Sequence, residues 1–488
     1  MNYFSNKRLG ILCASFFLSV VGLYAQGLVT GILNESYLYR HQVNPAYANQ
    51  KNYIAFPIVS NTSIGLYSNT PLGNFIYTNA YGKETSFMDE SVDRGAFLNG
   101  LDDINKASLN LDMTLISAGF KAGKGYGTFE LNLRSQMGIM APKDLFAFIK
   151  DNGEISNKRY DISNTALNAK AYAELALGYS HPIGEHLKIG GKVKLLGGLA
   201  YANAKIEKLT AECGSLDIDN VIGETIKDGV QNLNPNDCRW ALSLDGHLEM
   251  AAGGEFDLDN EGFVKGYDTE SPQLNGLGFA LDLGAVYDMS VLVPGLSVSA
   301  AVIDLGFINW RDVATAGAHD REFYFDGFES FTPETAGSLS SQLDDITKDL
   351  QDVYKFAPSQ TTTTIRERLD ATVNVGVDYR LPIYDKLAIG YLYLKHFSDY
   401  NEYAENRLTL SWSPCKIIDF AISGSSSDYG STLGALVNLH LLGLNIFAGS
   451  DRLYMGDVNE NNIPLEKIGN DFRFGVNIEF GANKKKKE

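Results

Sequence analysis

The sequence predicts an all-β fold, a transmembrane antiparallel β-barrel of about fourteen strands with long, partly helical extracellular loops. Three observations predict it. Apolar and polar residues alternate with a period of two in stretches of about ten residues, long enough to cross a bilayer at a tilt. Connections between these stretches are tight on one side and long on the other. The chain opens on the pattern of an export signal.

Composition agrees. Of 488 residues, 44% are hydrophobic, 11% aromatic and 20% charged, with a mean hydropathy of -0.12. Glycine reaches 48 residues, and tyrosine and phenylalanine 26 each, a mixture that favours strands joined by turns. The formal charge of -18 leaves no surplus of cations for phosphates, which argues against nucleic acid as a partner.

Residues 1–25 read as a signal peptide. Lys7 and Arg8 form its positive start, Leu9 to Leu23 its apolar stretch, and Leu23-Tyr24-Ala25 its small-residue cleavage site before Gln26. The apolar stretch is short of the roughly 20 residues of a membrane-spanning helix, and Cys13 lies too early for a lipoprotein signal. Losing Lys7 and Arg8 takes the formal charge from -18 to -20, so the exported chain is acidic. Its expected location is the outer membrane, with outer-membrane lipid around it.

Residues 52–480 form the expected barrel. Candidate strands fall at about 53–67, 109–120, 126–137, 169–180, 187–200, 277–288, 296–305, 369–380, 387–396, 405–413, 417–423, 431–440, 443–449 and 471–480. The alternation is plain at the end, where Phe472, Phe474, Val476, Ile478 and Phe480 interleave with Arg473, Gly475, Asn477 and Glu479. It recurs from Leu369 to Tyr379 and from Lys170 to Tyr179. Tight turns at 121–125, 181–186, 289–295, 381–386, 414–416 and 441–442 contrast with long, polar connections at 68–108, 138–168, 201–276 and 306–368.

Within those connections, Leu343, Ile346, Leu350 and Val353 fall at helical spacing among four aspartates, giving an acidic amphipathic helix. Residues 201–211 and 239–249 continue strands above the membrane as a hairpin carrying Cys213 and Cys238. An export compartment permits these two cysteines to form a disulfide, and also leaves them free to stay apart. Period two places Glu130, Arg134, Lys170, Glu174, Lys188, Lys192, Asp370, Asp378, Arg473 and Glu479 on the inward face. Residues 481–488 are a basic periplasmic tail with Lys484 to Lys487.

The early run Tyr37-Leu38-Tyr39-Arg40-His41-Gln42-Val43-Asn44-Pro45-Ala46-Tyr47 carries a resemblance. It is similar to the start of FadL-type long-chain fatty-acid transporters and of their Bacteroidetes relatives PorV and the PorP/SprF-like proteins. It most resembles a Bacteroidetes outer-membrane family whose members lack an established cargo. The resemblance implies that residues 26–51 form an N-terminal hatch inside the barrel, with Asn44, Pro45 and Ala46 at its turn. It further implies passage of a small hydrophobic or amphiphilic molecule through a hatch-gated lumen. The alternative it implies is a structural or carrier barrel that binds surface or secretion-machine proteins. The charged inward residues depart from the hydrophobic route of the FadL type.

No catalytic motif is present. Seven histidines stand singly, without a Gly-x-Ser-x-Gly elbow or a His-Glu-x-x-His pair, so no enzyme and no cofactor are expected. No metal site is expected either: three cysteines past the signal fit no zinc spacing, and Asp457, Asn459 and Asn461 start a calcium-like loop that Asn462 spoils where glycine is required.

Overall fold

A computed structural model describes residues 27–49, 51–55, 60–78, 84–89, 91–150, 158–213, 240–269, 273–325, 355–359, 361–453 and 467–481. The wall is a closed antiparallel barrel of fourteen staves, as the alternation predicts. The first stave is β1 (Asn52–Ala55) with β2 (Thr62–Ser68), followed by β3 (Ile104–Ala122), β4 (Gly125–Pro142), β5 (Thr165–Ile183) and β6 (Leu187–Cys213). The sixth is β7 (Trp240–Ala251) continued by β8 (Gly276–Asp288), the seventh β9 (Leu296–Phe325), the eighth β10 (Thr363–Arg368) with β11 (Ala371–Arg380). Then come β12 (Leu387–Phe397), β13 (Tyr403–Trp412), β14 (Ile418–Ser427), β15 (Gly430–Leu441), β16 (Leu444–Leu453) and β17 (Ile468–Phe480). Pairing Asn52 with Phe480 and Tyr53 with Gly119 closes the sheet and leaves no free edge.

Burial is inverted relative to a water-soluble protein. Along β13, Glu405, Arg407, Thr409 and Ser411 are buried while Leu408, Leu410 and Trp412 are exposed. On β17, Arg473, Asn477 and Glu479 are buried while Phe472, Phe474, Ile478 and Phe480 face outward. Exposed Ile189, Val193, Leu195, Leu277, Leu283, Val375, Val377 and Ile422 extend this apolar skin around the wall. Only a hydrocarbon surrounding makes an apolar exterior and a polar interior favourable together. Tyr179, Tyr287, Tyr384, Trp412 and Phe480 gather near the short turns, as an interfacial aromatic band does.

The six expected tight turns lie at the end shared by residues 51 and 481, but the expected contrast between the ends is incomplete: at the other end β14 and β15 join through Asp428 and Tyr429 alone, and β12 and β13 through 398–402. At the other end the strands overshoot the bilayer. β9 runs for 30 residues, about three times what crossing requires. The expected long connection at 306–368 therefore begins as strand: its backbone finds partners in β7, whose Trp240 pairs with Phe325 and Met250 with Ala314. The expected hairpin above the membrane is present, with Ala241 opposite Glu212 and Glu249 opposite Asn203. In the expected connections at 68–108 and 138–168, short helices α1 (Arg94–Asn99) and α2 (Lys143–Lys150) form. Phe97 and Phe146 from these helices pack with Phe87, Tyr160, Leu209 and Leu244 into an apolar cluster above the wall. The helix expected at 343–353, Cys238, the run Asp457–Asn461, the expected signal peptide and Lys484 to Lys487 lie outside the described residues.

Bulges change which residues face inward. In β9, Ala301 and Ile303 are buried below the bulge and Ile308 and Trp310 above it, a change of parity. Asp304 sits at the switch with φ 59°, opposite the register shift between Leu281 and Leu283. A second shift, between Thr114 and Ile116 in β3, also changes parity: Thr114 and Ser117 are buried and Ile116 is exposed.

Candidate functional site

Residues 27–49 run inside the barrel, through short helical turns at Val29–Gly31 and Arg40–Gln42. The wall carries glycine where this segment comes close. A Cβ on Gly190 would lie 2.1 Å from the Pro45 carbonyl carbon, and one on Gly284 would lie 2.1 Å from Asn44 Oδ1. Gly390, Gly434 and Gly449 likewise give room to Leu33, Thr30 and Leu28.

Polar bonds tie the segment to strands all round the wall. Asn44 Oδ1 accepts from Ala46 N at 2.9 Å, closing the turn that Pro45 stiffens, while Asn44 Nδ2 donates to Ala285 O at 3.2 Å and Ala300 O at 3.3 Å. Ser180 Oγ donates to Ala46 O at 2.8 Å, and Asn374 Nδ2 to Val43 O at 3.0 Å. On the opposite wall the Asp451 carboxylate receives Val29 N at 2.8 Å, Thr30 N at 2.6 Å and Thr30 Oγ1 at 2.6 Å. A buried carboxylate aimed at the open N–H groups of a helical turn is a strong, charge-assisted anchor. Tyr39, fully buried, donates to Asn477 Oδ1 at 2.7 Å.

Around this segment the lumen is ionic. Lys192 meets Glu130 at 2.6 Å, and Glu130 also accepts from Gln42 Nε2 at 2.8 Å. Lys194 joins Asp282 at 2.7 Å to Asp304 at 2.5 Å. Arg134 reaches Asp304 at 2.9 Å, Glu174 at 3.2 Å and Asp112 at 4.0 Å. Lys170 meets Glu367 at 3.2 Å and Asp370 at 3.8 Å, and Arg473 donates to Gln42 Oε1 at 2.8 Å and Asn61 Oδ1 at 3.3 Å. Summed over these three networks, seven carboxylates face five cations among the described residues. Across the lumen Glu405 pairs with Arg407 at 2.7 Å and Arg452 at 2.5 Å, with Arg452 lying over the rings of Tyr67 and Tyr403. Such pairs stay inside only because each partner offsets the other's desolvation.

Nine of the ten inward candidates lie against lumenal partners. Asp378 accepts from Ser297 Oγ at 2.5 Å, and Glu479 meets Lys51 at 2.5 Å. Lys188, on the inward register of β6, stays exposed beside the short turn, where the barrel opens to water. Cys213 ends β6 opposite Trp240, while its candidate partner lies beyond the described residues. Cys415 is free and exposed. Sequence reasoning missed Asp112, Lys194, Asp282, Asp304, Glu405, Arg407 and Asp451. The clean alternation of β13 marks Glu405 and Arg407, but nothing in the sequence marks the bulge that turns Asp304 inward.

Between the segment and the long-loop end lies a cavity of about 50 Å³, measured to the centres of water-sized contents. Gly27, Val29, Gln42 and Val43 form one side, and Asp112, Asn132, Arg134, Gln136, Asp304, Asp370, Asn374 and Arg473 are among the wall residues that line it. Further along, Tyr400 from the connection between β12 and β13 crosses to β6, its hydroxyl 3.3 Å from Asn203 Oδ1.

The family described as "Family of unknown function (DUF5723)" matches residues 45–451. No curated protein matches the chain. Among solved structures, the TodX deltaS2S3 mutant monoaromatic hydrocarbon channel is similar at a TM-score of 0.44 and 9% identity, covering 90% of this chain and 94% of that one. The toluene transporter TbuX of Ralstonia pickettii gives 0.39 and 9%, covering 94% and 95%. A FadL homologue of Pseudomonas aeruginosa gives 0.39 and 10%, covering 94% and 100%.

Proposed function

The chain belongs to the DUF5723 family, and we propose that its barrel is an outer-membrane passage for a small amphiphilic molecule, closed by a hatch at residues 26–51. The observation that carries this reading is the fit between segment and wall: glycines recessed opposite Pro45, Asn44 and Thr30, and the Asp451 carboxylate held on the turn at Val29 and Thr30. A stave that served only to close a barrel would have no use for such recesses. The cavity left beyond the hatch holds on the order of a few water molecules, so passage requires the hatch to move. The short-turn end and both termini face the periplasm, as the layout of outer-membrane barrels favours.

Deleting residues 26–51 while keeping the export signal tests this reading in planar lipid bilayers. A large, steady rise in conductance is expected. Conductance equal to that of the intact barrel would remove the hatch assignment.

A second reading is a carrier or structural barrel for surface or secretion-machine proteins. One observation favours it: the paired charges that fill the lumen. Recovery of a stoichiometric surface protein with the barrel in mild detergent, together with a deletion variant that stays closed, would select it.

A further inference from the structure

We infer that the lumenal cavity is a binding site for a short aliphatic ammonium ion, so that the solute held in this barrel is a small organic amine. The binding site stands on its own geometry; only its place on a transit route rests on the proposed function.

Charge comes first. Three carboxylates, Asp112, Asp304 and Asp370, and two guanidiniums, Arg134 and Arg473, line the cavity, and both arginines are already engaged by Glu174, Asp304, Gln42 and Asn61. Asp112 lines the cavity with its nearest ionic partner 4.0 Å away, too far for a hydrogen bond. An acidic excess in the lining favours a cation over an anion or a neutral guest.

Hydrogen-bonding capacity points the same way. Asn132 and Asn374 line the cavity, are 3% and 2% exposed, and among the described residues each keeps one amide oxygen without a donor. Their orientation is fixed chemically. Asn132 Nδ2 donates to Glu174 Oε1 at 2.9 Å and Asn374 Nδ2 to Val43 O at 3.0 Å, so flipping either amide would set oxygen against oxygen. The Gln136 amide oxygen, on the same lining, is also without a donor. These oxygens are closed to a water-sized contact as they stand, so a guest reaches them through a small side-chain shift, and a primary ammonium offers three donors to them.

Size and apolar lining set the rest. Val29, Val43, Ile303 and Leu394 give the cavity an aliphatic side that suits a short carbon stem.

Three probes of one size test the inference: ethanolamine, ethylene glycol and glycolate, each titrated against the full chain in detergent by saturation-transfer NMR. Ethanolamine is expected to bind at least about tenfold more tightly than the other two, the weight of one charge-assisted hydrogen bond. Asp112→Asn and Asp370→Asn, checked for an intact heat-dependent gel shift, should each weaken ethanolamine severalfold and leave ethylene glycol unchanged. Equal affinities for the three probes, or ethanolamine binding untouched in both variants, would overturn the site. Lysophosphatidylethanolamine, offered separately, distinguishes an ammonium on a lipid headgroup from a free amine: competition with ethanolamine assigns the lipid source, and no competition assigns the free solute. Ethanolamine binding without any conductance rise on deleting residues 26–51 would sink the passage and leave the site standing.

Discussion

Gly190→Val isolates the contact between the lumenal segment 27–49 and the wall. A Cβ at position 190 would lie 2.1 Å from the carbonyl carbon and 2.1 Å from the carbonyl oxygen of Pro45. Carbon atoms rest at about 3.5 Å, and the obstacle is backbone rather than a rotatable side chain, so the segment must retreat by more than about 1 Å. That retreat stretches the bonds from Ser180 to Ala46 at 2.8 Å and from Asn44 to Ala285 and Ala300 at 3.2 and 3.3 Å. Three neutral bonds at about 1 kcal/mol each bias the segment toward its displaced state by about 3 kcal/mol, on the order of 150-fold. Gly191→Val is the matched control, because the nearest atoms to its Cβ lie 3.8 Å away. Single-channel recording should show a raised open probability for Gly190→Val alone, and limited proteolysis should cut within residues 27–49 in that variant. Equal open probabilities in two variants that both keep their heat-dependent gel shift would refute the reasoning.

On the lipid face, Leu410→Arg should cost about 2–4 kcal/mol in urea titrations of vesicle-inserted protein, while Thr409→Arg, one residue along and lumenal, should follow a different course by straining buried pairs. An unfolding midpoint unchanged by Leu410→Arg would contradict the outward assignment. Arg407→Met leaves Glu405 and Asp451 buried without that partner and should destabilise by about 3–5 kcal/mol, seen as gel mobility lost at a lower temperature. In a chain with Cys213 and Cys238 replaced by serine, exposed Cys415 should react with a membrane-impermeant maleimide only after the outer membrane is permeabilised. Labelling in intact cells would invert the proposed topology.

Period-two alternation made the wall legible, because one face meets hydrocarbon and the other meets water and charge. Along β13 and β17 every second residue declares its side. The lumenal site was legible only in part. Glu130, Lys170, Glu174 and Lys192 stand on uninterrupted stretches of alternation, whereas Asp304 turns inward at a bulge whose cause is a positive φ. Asp282 faces it from the shifted register of β8. Strand ends were misjudged for another reason: β9 continues past the bilayer because β7 satisfies its backbone, and that pairing joins residues some 60–85 positions apart in sequence. The recessed glycines were invisible as a set, since Gly190, Gly390 and Gly434 acquire a common meaning only when the closed wall brings them around one segment.

The most direct test of the proposed gating is a reversible lock between residues 27–49 and the wall. A Cβ at Gly390 would lie 2.9 Å from Leu33 Cδ1 and 3.0 Å from Leu33 Cδ2, side-chain atoms that a cysteine at position 33 lacks, so the pair Leu33→Cys and Gly390→Cys sets two sulfurs facing each other between segment and wall. With Cys213, Cys238 and Cys415 replaced by serine, ethanolamine efflux from vesicles carrying this variant is measured oxidised and then after reduction. The account predicts negligible flux while the disulfide is closed and recovery of flux when it is reduced. Equal flux in the two states would show that solute crosses, or fails to cross, regardless of where residues 27–49 sit, and the central claim would fall.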